Sequence, residues 1–277
     1  MSFYTSLSGL KNAQTDLNVI SNNIANAETG GFKKSNTAFS DIIAASAMSD
    51  PSMTVGIGSR VSAIKQDFGL GAIEQTGGAL DMLINGDGFF TVVAPLSGQT
   101  QYTRDGAFST DGNGFIKNAQ DARLQIFPAD LTTGTVDLTT RQDAQVPAVA
   151  PNPTDPANPG KYAGITVNGD GSVIASYSDG TNAKLGVVAT ASFISPNGLK
   201  QMGNSTWVAT GESGTATYGQ PGTGTSGSIL AGALERSNVD IAEELVSLIT
   251  AQRNFQANAK AIDTATQISQ AVMNLRT

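Results

Sequence analysis

The sequence predicts an α+β protein with paired N- and C-terminal helices and a mainly antiparallel β domain between them in sequence. Two apolar stripes at three- and four-residue steps and a middle region punctuated by glycine turns support this class. Such stripes form the seam that a coiled coil or bundle buries, so both helices are predicted self-assembly elements. The stripes comprise Phe3, Leu7, Leu10, Leu17 and Ile24, then Ile241, Leu245, Leu248, Phe255 and Ile262, with Ile268, Val272 and Leu275 beyond.

The first helix is predicted to begin at Ser2, which suits an N-cap, and to end near Asn26, because two glycines follow at 30 and 31. A short apolar patch containing Phe39, Ile42 and Ile43 completes the predicted N-terminal part of an inner domain, residues 1–43. Residues 44–75 are predicted to be a connecting segment, since 44–60 contain the breakers SDPS and GIG.

Residues 76–234 are predicted to form a β-rich middle domain. Short β-branched and aromatic runs flank Asn-Gly and Asp-Gly turns, a pattern typical of antiparallel sandwiches and barrels. The runs lie at 80–84, 89–93, 103–108, 115–116, 165–168, 172–177 and 184–193.

Two segments of the middle region lack strand signals. Residues 145–161 hold five of the ten prolines and are predicted to be an exposed, extended loop where an inserted domain could be missing. Residues 211–227 are rich in Gly, Ser and Thr and are predicted to be flexible.

The C-terminal part, residues 235–277, is predicted to be the second helix of the inner domain. Its start is expected near Ser237 or Asn238. Asp240, Glu243 and Glu244 then lie in its first turns, where carboxylates complement the helix dipole.

The composition favours a protein that associates with copies of itself. Among 277 residues, aromatic side chains make up 6% and there is one Trp, so a single large core is not expected. Charged residues make up 14%, against about 25% in an average domain. A surface of Ser, Thr, Asn and Gln tolerates the close approach of identical copies.

The charge pattern argues against nucleic acid and membrane insertion. The net charge of −7 leaves no basic face to neutralise phosphates, and the dipeptide Lys33-Lys34 is predicted to lie on a solvated surface. The N-terminus has no basic segment followed by an apolar one, and no run of eighteen apolar residues occurs. Export, if it occurs, is therefore expected to use a route without a cleaved signal peptide.

No catalytic, cofactor-binding or metal-binding residues are expected. The chain has neither His nor Cys, so the motif GESG at 211–214 cannot belong to a Ser-His-Asp relay. The acidic tracts at 111–113 and 168–171 lack the closing Glu of a calcium loop and fit hairpin turns better. No carboxylate pair or phosphate loop stands out, so an enzyme is not expected.

Four blocks of sequence, in order, resemble the bacterial flagellar rod and hook axial proteins. The first is LNVISNNIAN at 17–26, continued by GFK at 31–33. The second and third are GDGFF at 86–90 and YTRDGAF at 102–108, the latter followed by DGNG at 111–114. The fourth is SNVDIAEEL at 237–245 with AQRNFQAN at 251–258, so the resemblance covers nearly the whole chain.

The resemblance implies a structural protein whose terminal helices pair into an inner domain packed around a central channel. It implies a helical homopolymer, located in the extracellular hook or basal body, with the rod, hook cap and hook–filament junction proteins as partners. The pattern favours a hook subunit, through Phe68 and the AQRN tract at 251–254. A hook that bends and rotates needs a hinge, which we expect at Pro51, Gly56, Gly58 and Gly232.

Three alternatives stay open at this stage. The distal rod protein, a rigid drive shaft, is favoured by the chain length and by the absence of the outer inserted domain that hook proteins typically carry. An extracellular glycan-binding β-module with helical oligomerisation ends would belong to another functional class. The helical stripes could also dock on the chain's own middle domain.

Overall fold

A computed structural model of the chain describes residues 2–43, 56–130, 133–151, 160–224 and 226–274. These residues form two compact units. The first comprises Met1–Ala27, Lys33–Asp67 and Val239–Thr277, and the second comprises Glu28–Phe32 and Phe68–Asn238. The polypeptide therefore crosses from one unit to the other near residues 28, 33, 68 and 239.

The first unit contains the two terminal helices and a β-hairpin. Helix α1 spans Ser2–Ala25 and helix α2 spans Ile241–Asn274, while strands β1 (Ser35–Ile43) and β2 (Gly56–Gln66) pair antiparallel. α1 packs against α2 and against both strands. The predicted pairing of the terminal helices within an α+β fold is thus confirmed.

The hairpin replaces part of the predicted connecting segment 44–75. Pairing runs from Ser35 opposite Gln66 to Ile43 opposite Gly56. The glycines at 56 and 58 predicted a break in secondary structure, yet Gly58 lies within β2. Its φ of +131° suits glycine, which has no Cβ, and it lies beside a shift in the register of the two strands. Strand partners as far apart in sequence as Ser35 and Gln66 leave only a weak local pattern. Residues 44–55 of the segment lie outside the described residues.

The start of α2 is set by Asp240. Its Oδ1 accepts hydrogen bonds from the backbone N–H groups of Ala242 (2.8 Å) and Glu243 (3.2 Å), which is the geometry of an N-cap. The helix therefore begins a few residues after the predicted start at Ser237 or Asn238. The carboxylate satisfies backbone donors that would otherwise lack a partner.

The second unit is built almost entirely of short strands. They are β3 (Ile73–Gln75), β4 (Met82–Asn85), β5 (Phe89–Val93), β6 (Thr100–Thr103), β7 (Ser109–Thr110), β8 (Ile116–Lys117), β9 (Arg123–Pro128), β10 (Gln142–Asp143), β11 (Tyr162–Val167), β12 (Ser172–Tyr177), β13 (Asn182–Val188), β14 (Thr190–Ser192), β15 (Lys200–Gly203), β16 (Thr206–Val208), β17 (Thr217–Gly219), β18 (Ser228–Ala231) and β19 (Ala233–Glu235). A 3₁₀ turn at Pro196–Gly198 precedes β15.

The main sheet follows the order β11-β12-β13-β9-β5-β6-β16-β15, with β10 and β8 on β9 and β14 on β5. β7 pairs with β8 and β17 with β14, while β18 with β4 and β19 with β3 form two-stranded sheets. The pairings between these strands are antiparallel, as predicted.

Two apolar clusters support this unit, in line with the low aromatic content. The larger one contains Met82, Phe90, Leu124, Val173 and Val188, all fully buried. The smaller one is aromatic: Phe89 and Trp207 are buried with ring centroids 5.7 Å apart, and Phe68 packs edge-on against Trp207 at 5.6 Å.

The acidic tracts are hairpin turns, as predicted. Asp111 Oδ1 accepts hydrogen bonds from the N–H groups of Asn113 (2.9 Å) and Phe115 (2.8 Å) between β7 and β8. The tract at 168–171 joins β11 to β12 in the same way. The runs at 80–84 and 89–93, however, do not pair with each other, because β4 bonds to β18 and β5 bonds to β6, β9 and β14.

Three further predictions need correction. Lys33 is fully buried rather than solvated, so its charge alone did not predict its position. The segment 211–227 contains the paired strand β17, and Gly227 N–H donates to Asp87 O at 2.7 Å. The proline-rich segment begins within the core, since Val146 and Ala150 are buried, and 152–159 lies outside the described residues.

Replacing residues 152–159 by the four-residue linker Gly-Ser-Gly-Ser should leave the second unit folded. The flanking backbone is already closed by a 2.8 Å hydrogen bond from Ala150 N–H to Gly160 O. Halving such a segment changes the closure entropy by only about 0.6 kcal/mol. Thermal denaturation should show a nearly unchanged melting temperature, whereas Ala150→Asp, which buries a carboxylate, should lower it clearly. A large fall with the linker would show that 152–159 packs on the core.

Candidate assembly surface

The residues that α1 turns away from solvent recur at three- and four-residue steps, as the spacing of a helix seam requires. Ala13 and Ile20 are buried, and the other three members are half-buried. This face consists of Leu10, Ala13, Leu17, Ile20 and Ile24.

α2 turns a matching face inward over most of its length. The spacing is again three or four residues as far as Phe255 and seven residues from there to Ile262, but one member is charged and one is small. This face consists of Glu244, Leu248, Ala251, Phe255 and Ile262, of which Glu244 and Ala251 are buried.

Two close contacts show that the helices run antiparallel. A Cβ added to Gly9 would lie 2.6 Å from Asn258 Oδ1, so glycine leaves room there for the side chain of Asn258. Further along, Asn23 Nδ2 donates to Glu244 Oε2 at 3.3 Å. The two contacts are equally spaced on both helices, so they belong to a single register.

Asn23 joins three elements of the first unit. Its side chain is 1% exposed, and its Nδ2 donates to Ser35 O while its Oδ1 accepts from Ser35 N–H, both at 2.9 Å. The contact with Glu244 adds α2 to this junction. Next to it, Lys34 Nζ lies 3.6 Å from a carboxylate oxygen of Glu243. A buried polar group whose bonds are satisfied in only one register specifies that register.

The predicted seam residues divide into two groups. Phe3, Ile241 and Leu245 are exposed by 39%, 45% and 46%, so Ile241 and Leu245 lie outside the intramolecular seam. The others are half-buried: Leu7, Leu10, Leu17, Ile24, Leu248, Phe255 and Ile262. Leu275 lies outside the described residues. A role of either group in assembly stays a prediction.

The predicted hinge residues lie within hydrogen-bonded structure where the chain is described. Gly56 and Gly58 belong to β2. Gly232 lies between β18 and β19, where its N–H donates to Asp81 O at 2.8 Å and its carbonyl accepts from Gly77 N–H at 3.0 Å. Pro51 lies outside the described residues, and bending at these positions stays a prediction.

The apolar pattern of the sequence did not predict four residues that lie at the seam: Gly9, Asn23, Glu244 and Ala251. Glu244 and Ala251 fall on the same three- and four-residue spacing as Leu248 and Phe255, so the pattern contained them. A pattern defined by large apolar side chains alone leaves out the small and polar residues of the same helix face. Which polar residue pairs with which could be known only from the fold.

The second unit contains a buried ion pair that links distant segments. Arg104 Nη1 lies 3.5 Å from Glu235 Oε2, and Glu235 Oε1 accepts a 2.9 Å hydrogen bond from Gly71 N–H. Burial lowers the pKa of Arg104, an effect that the nearby carboxylate of Glu235 opposes. Gly31 N–H donates to Glu235 O at 2.8 Å, so residues 28–32 are attached at the same point.

Two of the sites considered from the sequence, a metal site and the GESG serine, can be compared with the described residues. Within them, no group of three or more acidic residues is placed to hold a metal ion. Ser213 of the GESG tract is fully buried, and its Oγ donates to Thr210 O at 2.9 Å, which is the predicted turn. In the part of the chain that the structure describes, neither helix has the combination of length and apolar character needed to cross a membrane.

Three family models match the chain in succession. Residues 3–33 match the flagella basal body rod protein family, and residues 83–175 match the flagellar hook protein FlgE/F/G D1 domain. Residues 230–275 match the flagellar basal body rod FlgEFG protein C-terminal family. The first match includes α1 from residue 3 onward, the third includes β19 and α2, and the second falls on the β-rich unit.

Individual relatives are similar over their full length. The chain is 33% identical over 286 residues to the flagellar basal-body rod protein FlgG of Bacillus subtilis, covering 99% of this chain and 98% of the relative. It is 28% identical over 410 aligned residues to the flagellar hook protein FlgE of Escherichia coli, covering 100% of both. For FlgG of Borreliella burgdorferi the identity is 31% over 289 residues, covering 99% and 97%. The chain therefore belongs to the flagellar rod and hook family of structural proteins.

Proposed function

We propose that the chain is a subunit of the flagellar hook, which self-assembles into a flexible tube and transmits torque from the motor to the filament. The observation that carries this proposal is the α1–α2 pair, because α2 keeps several large apolar side chains exposed along its 34 residues. Surface apolar residues on a marginally stable helix favour burial between copies.

Similarity to hook proteins extends from end to end of both chains. The alignment to the Escherichia coli hook protein is longer than the 277 residues of this chain, so the relative carries additional residues. This supports a short hook subunit without an outer inserted domain. Phe68, which packs on Trp207 in the aromatic cluster, and the AQRN tract at 251–254 favour hook over rod.

The distal rod protein is the second candidate, and a specific observation favours it. FlgG of Bacillus subtilis matches over 286 residues with nearly complete coverage of both chains, so the two are similar in length. A rod subunit would form a straight and stiff tube.

The partners and location follow from the proposed role. The principal partner is the chain itself, in a helical homopolymer. At its two ends a hook would contact the rod and the hook–filament junction proteins, and the hook cap during growth. Such a subunit would function in the flagellum, outside the cell.

Electron microscopy of the purified, polymerised chain tests the proposal. Curved tubes of uniform diameter are expected for a hook. A map of the polymer should leave room for the residues around 44–60 and Gly232 to bend. Straight tubes in which residues 44–60 are locked against adjacent subunits would favour the rod. Absence of any polymer from the full chain would argue against both.

A further inference from the structure

α2 extends beyond the end of its partner helix. Continuing the register of the Gly9–Asn258 and Asn23–Glu244 contacts brings Ser2, the first described residue of α1, beside Ala265. Residues 266–274 of α2 therefore extend past α1 by about 13 Å, at 1.5 Å per residue.

This overhang carries an apolar patch, which we name the distal patch: Ile268, Val272 and Met273. These side chains are exposed by 60%, 61% and 65%, respectively. Val272 continues the spacing of the seam at the point where α1 can no longer cover it. Residues 264–274 include no charged side chain, so a partner that covers this stretch would not bury a charge.

A second apolar patch lies at the opposite end of the same helix, and we name it the proximal patch: Ile241, Leu245, Val246 and Ile249. These side chains are exposed by 45%, 46%, 66% and 51%. Ile241, Leu245 and Ile249 follow one another at four-residue steps, so they lie along one side of α2. They flank the inward face marked by Glu244 and Leu248 and do not belong to it.

We propose that the distal patch of one copy packs on the proximal patch of the next copy. This inference rests on the proposed self-assembling function and names the partner surface. The two patches differ and lie about 40 Å apart along one helix. A contact between unlike surfaces is heterologous and can propagate without closing, whereas a patch that paired with itself would stop at a dimer. The apolar seam of α1 and α2 then continues into the next subunit.

Charge substitution in the full-length chain tests the pairing. Val246→Lys and Val272→Glu are each expected to raise the critical concentration for polymerisation by at least about tenfold, because each places an unpaired charge in a contact. The double variant carrying both changes should recover most of the lost polymerisation. In a heterologous contact the new ammonium of one copy meets the new carboxylate of the next.

Two measurements keep the outcomes distinct. Gln256→Lys and Gln256→Glu place the same charges at an exposed position between the patches and should polymerise like the original chain. The fluorescence of Trp207 should show that the second unit is folded in every variant.

If the original chain forms no polymer, the proposed function fails. If it polymerises and the single variants do so equally well, the patches are not contacts and the inference is overturned.

The double variant also separates the proposed partner from others. If both single variants fail and the double variant gives no recovery, the distal patch does not meet the proximal patch. A contact with the exposed Phe3 and Tyr4 of another copy's α1 would give that result and would overturn the proposed pairing.

Discussion

Arg104→Ala is expected to lower the free energy of unfolding of the second unit by about 3–5 kcal/mol. The Arg104 guanidinium donates to Gly86 O at 2.9 Å and Ile84 O at 3.3 Å, and its side chain is 2% exposed. Without it, the carboxylate of Glu235, whose side chain has no solvent exposure, would lose its ion pair with Arg104. Urea denaturation followed by Trp207 fluorescence measures the change, because Trp207 is the single Trp and is buried in this unit.

A surface pair provides the control for this prediction. Lys117 and Asp121 form an ion pair with side chains 30% and 68% exposed, and such pairs contribute at most about 1 kcal/mol. Lys117→Ala should therefore change the denaturation midpoint only slightly. Replacing both buried partners, as Arg104→Met with Glu235→Leu, should recover part of the loss. Equal midpoints for Arg104→Ala and Lys117→Ala would show that the buried pair does not support the fold.

Leu248→Asp is expected to abolish polymerisation while the second unit stays folded. Leu248 is half-buried in the inward face of α2, and Glu244 is buried four residues earlier on that face. The substitution would place a second carboxylate in the same seam, where desolvation and like-charge repulsion add to several kcal/mol. Electron microscopy should show no tubes, and Trp207 fluorescence should show an unchanged second unit.

Gln252→Asp is the matched control for the seam. Gln252 is exposed on α2 one turn after Leu248, so the same carboxylate would remain in water there. Tubes should form as with the original chain. Normal tubes from Leu248→Asp would mean that the α1–α2 seam is not required for assembly.

Local sequence determined the elements whose signals lie within a few residues. Helix α1 begins at Ser2 as expected and ends within one residue of the predicted Asn26. The turn at Asp111 follows from its own side chain bonding to nearby backbone N–H groups. For α2, the apolar spacing predicted the helix, but three residues that can act as N-caps precede it. Only the observed hydrogen bonds identify Asp240 as the cap.

Contacts between distant residues could not be predicted in this way. The β1–β2 hairpin depends on partners such as Ser35 and Gln66, and neither strand has a strong alternating pattern of its own. Lys33 is buried although its charge predicts exposure, because its surroundings come from other parts of the chain. Burial is a property of the packed fold, whereas local sequence reports only periodicity and propensity.

By itself, the sequence determined the α+β class, the apolar periodicity of the terminal helices and the family, since each depends on patterns along the chain. The tertiary structure alone decided which residues meet across the seam. Gly9 with Asn258 and Asn23 with Glu244 set one antiparallel register, and that register leaves the last turns of α2 uncovered. The physical reason is that register depends on steric fit and on hydrogen bonds between side chains more than two hundred residues apart, which no local pattern encodes.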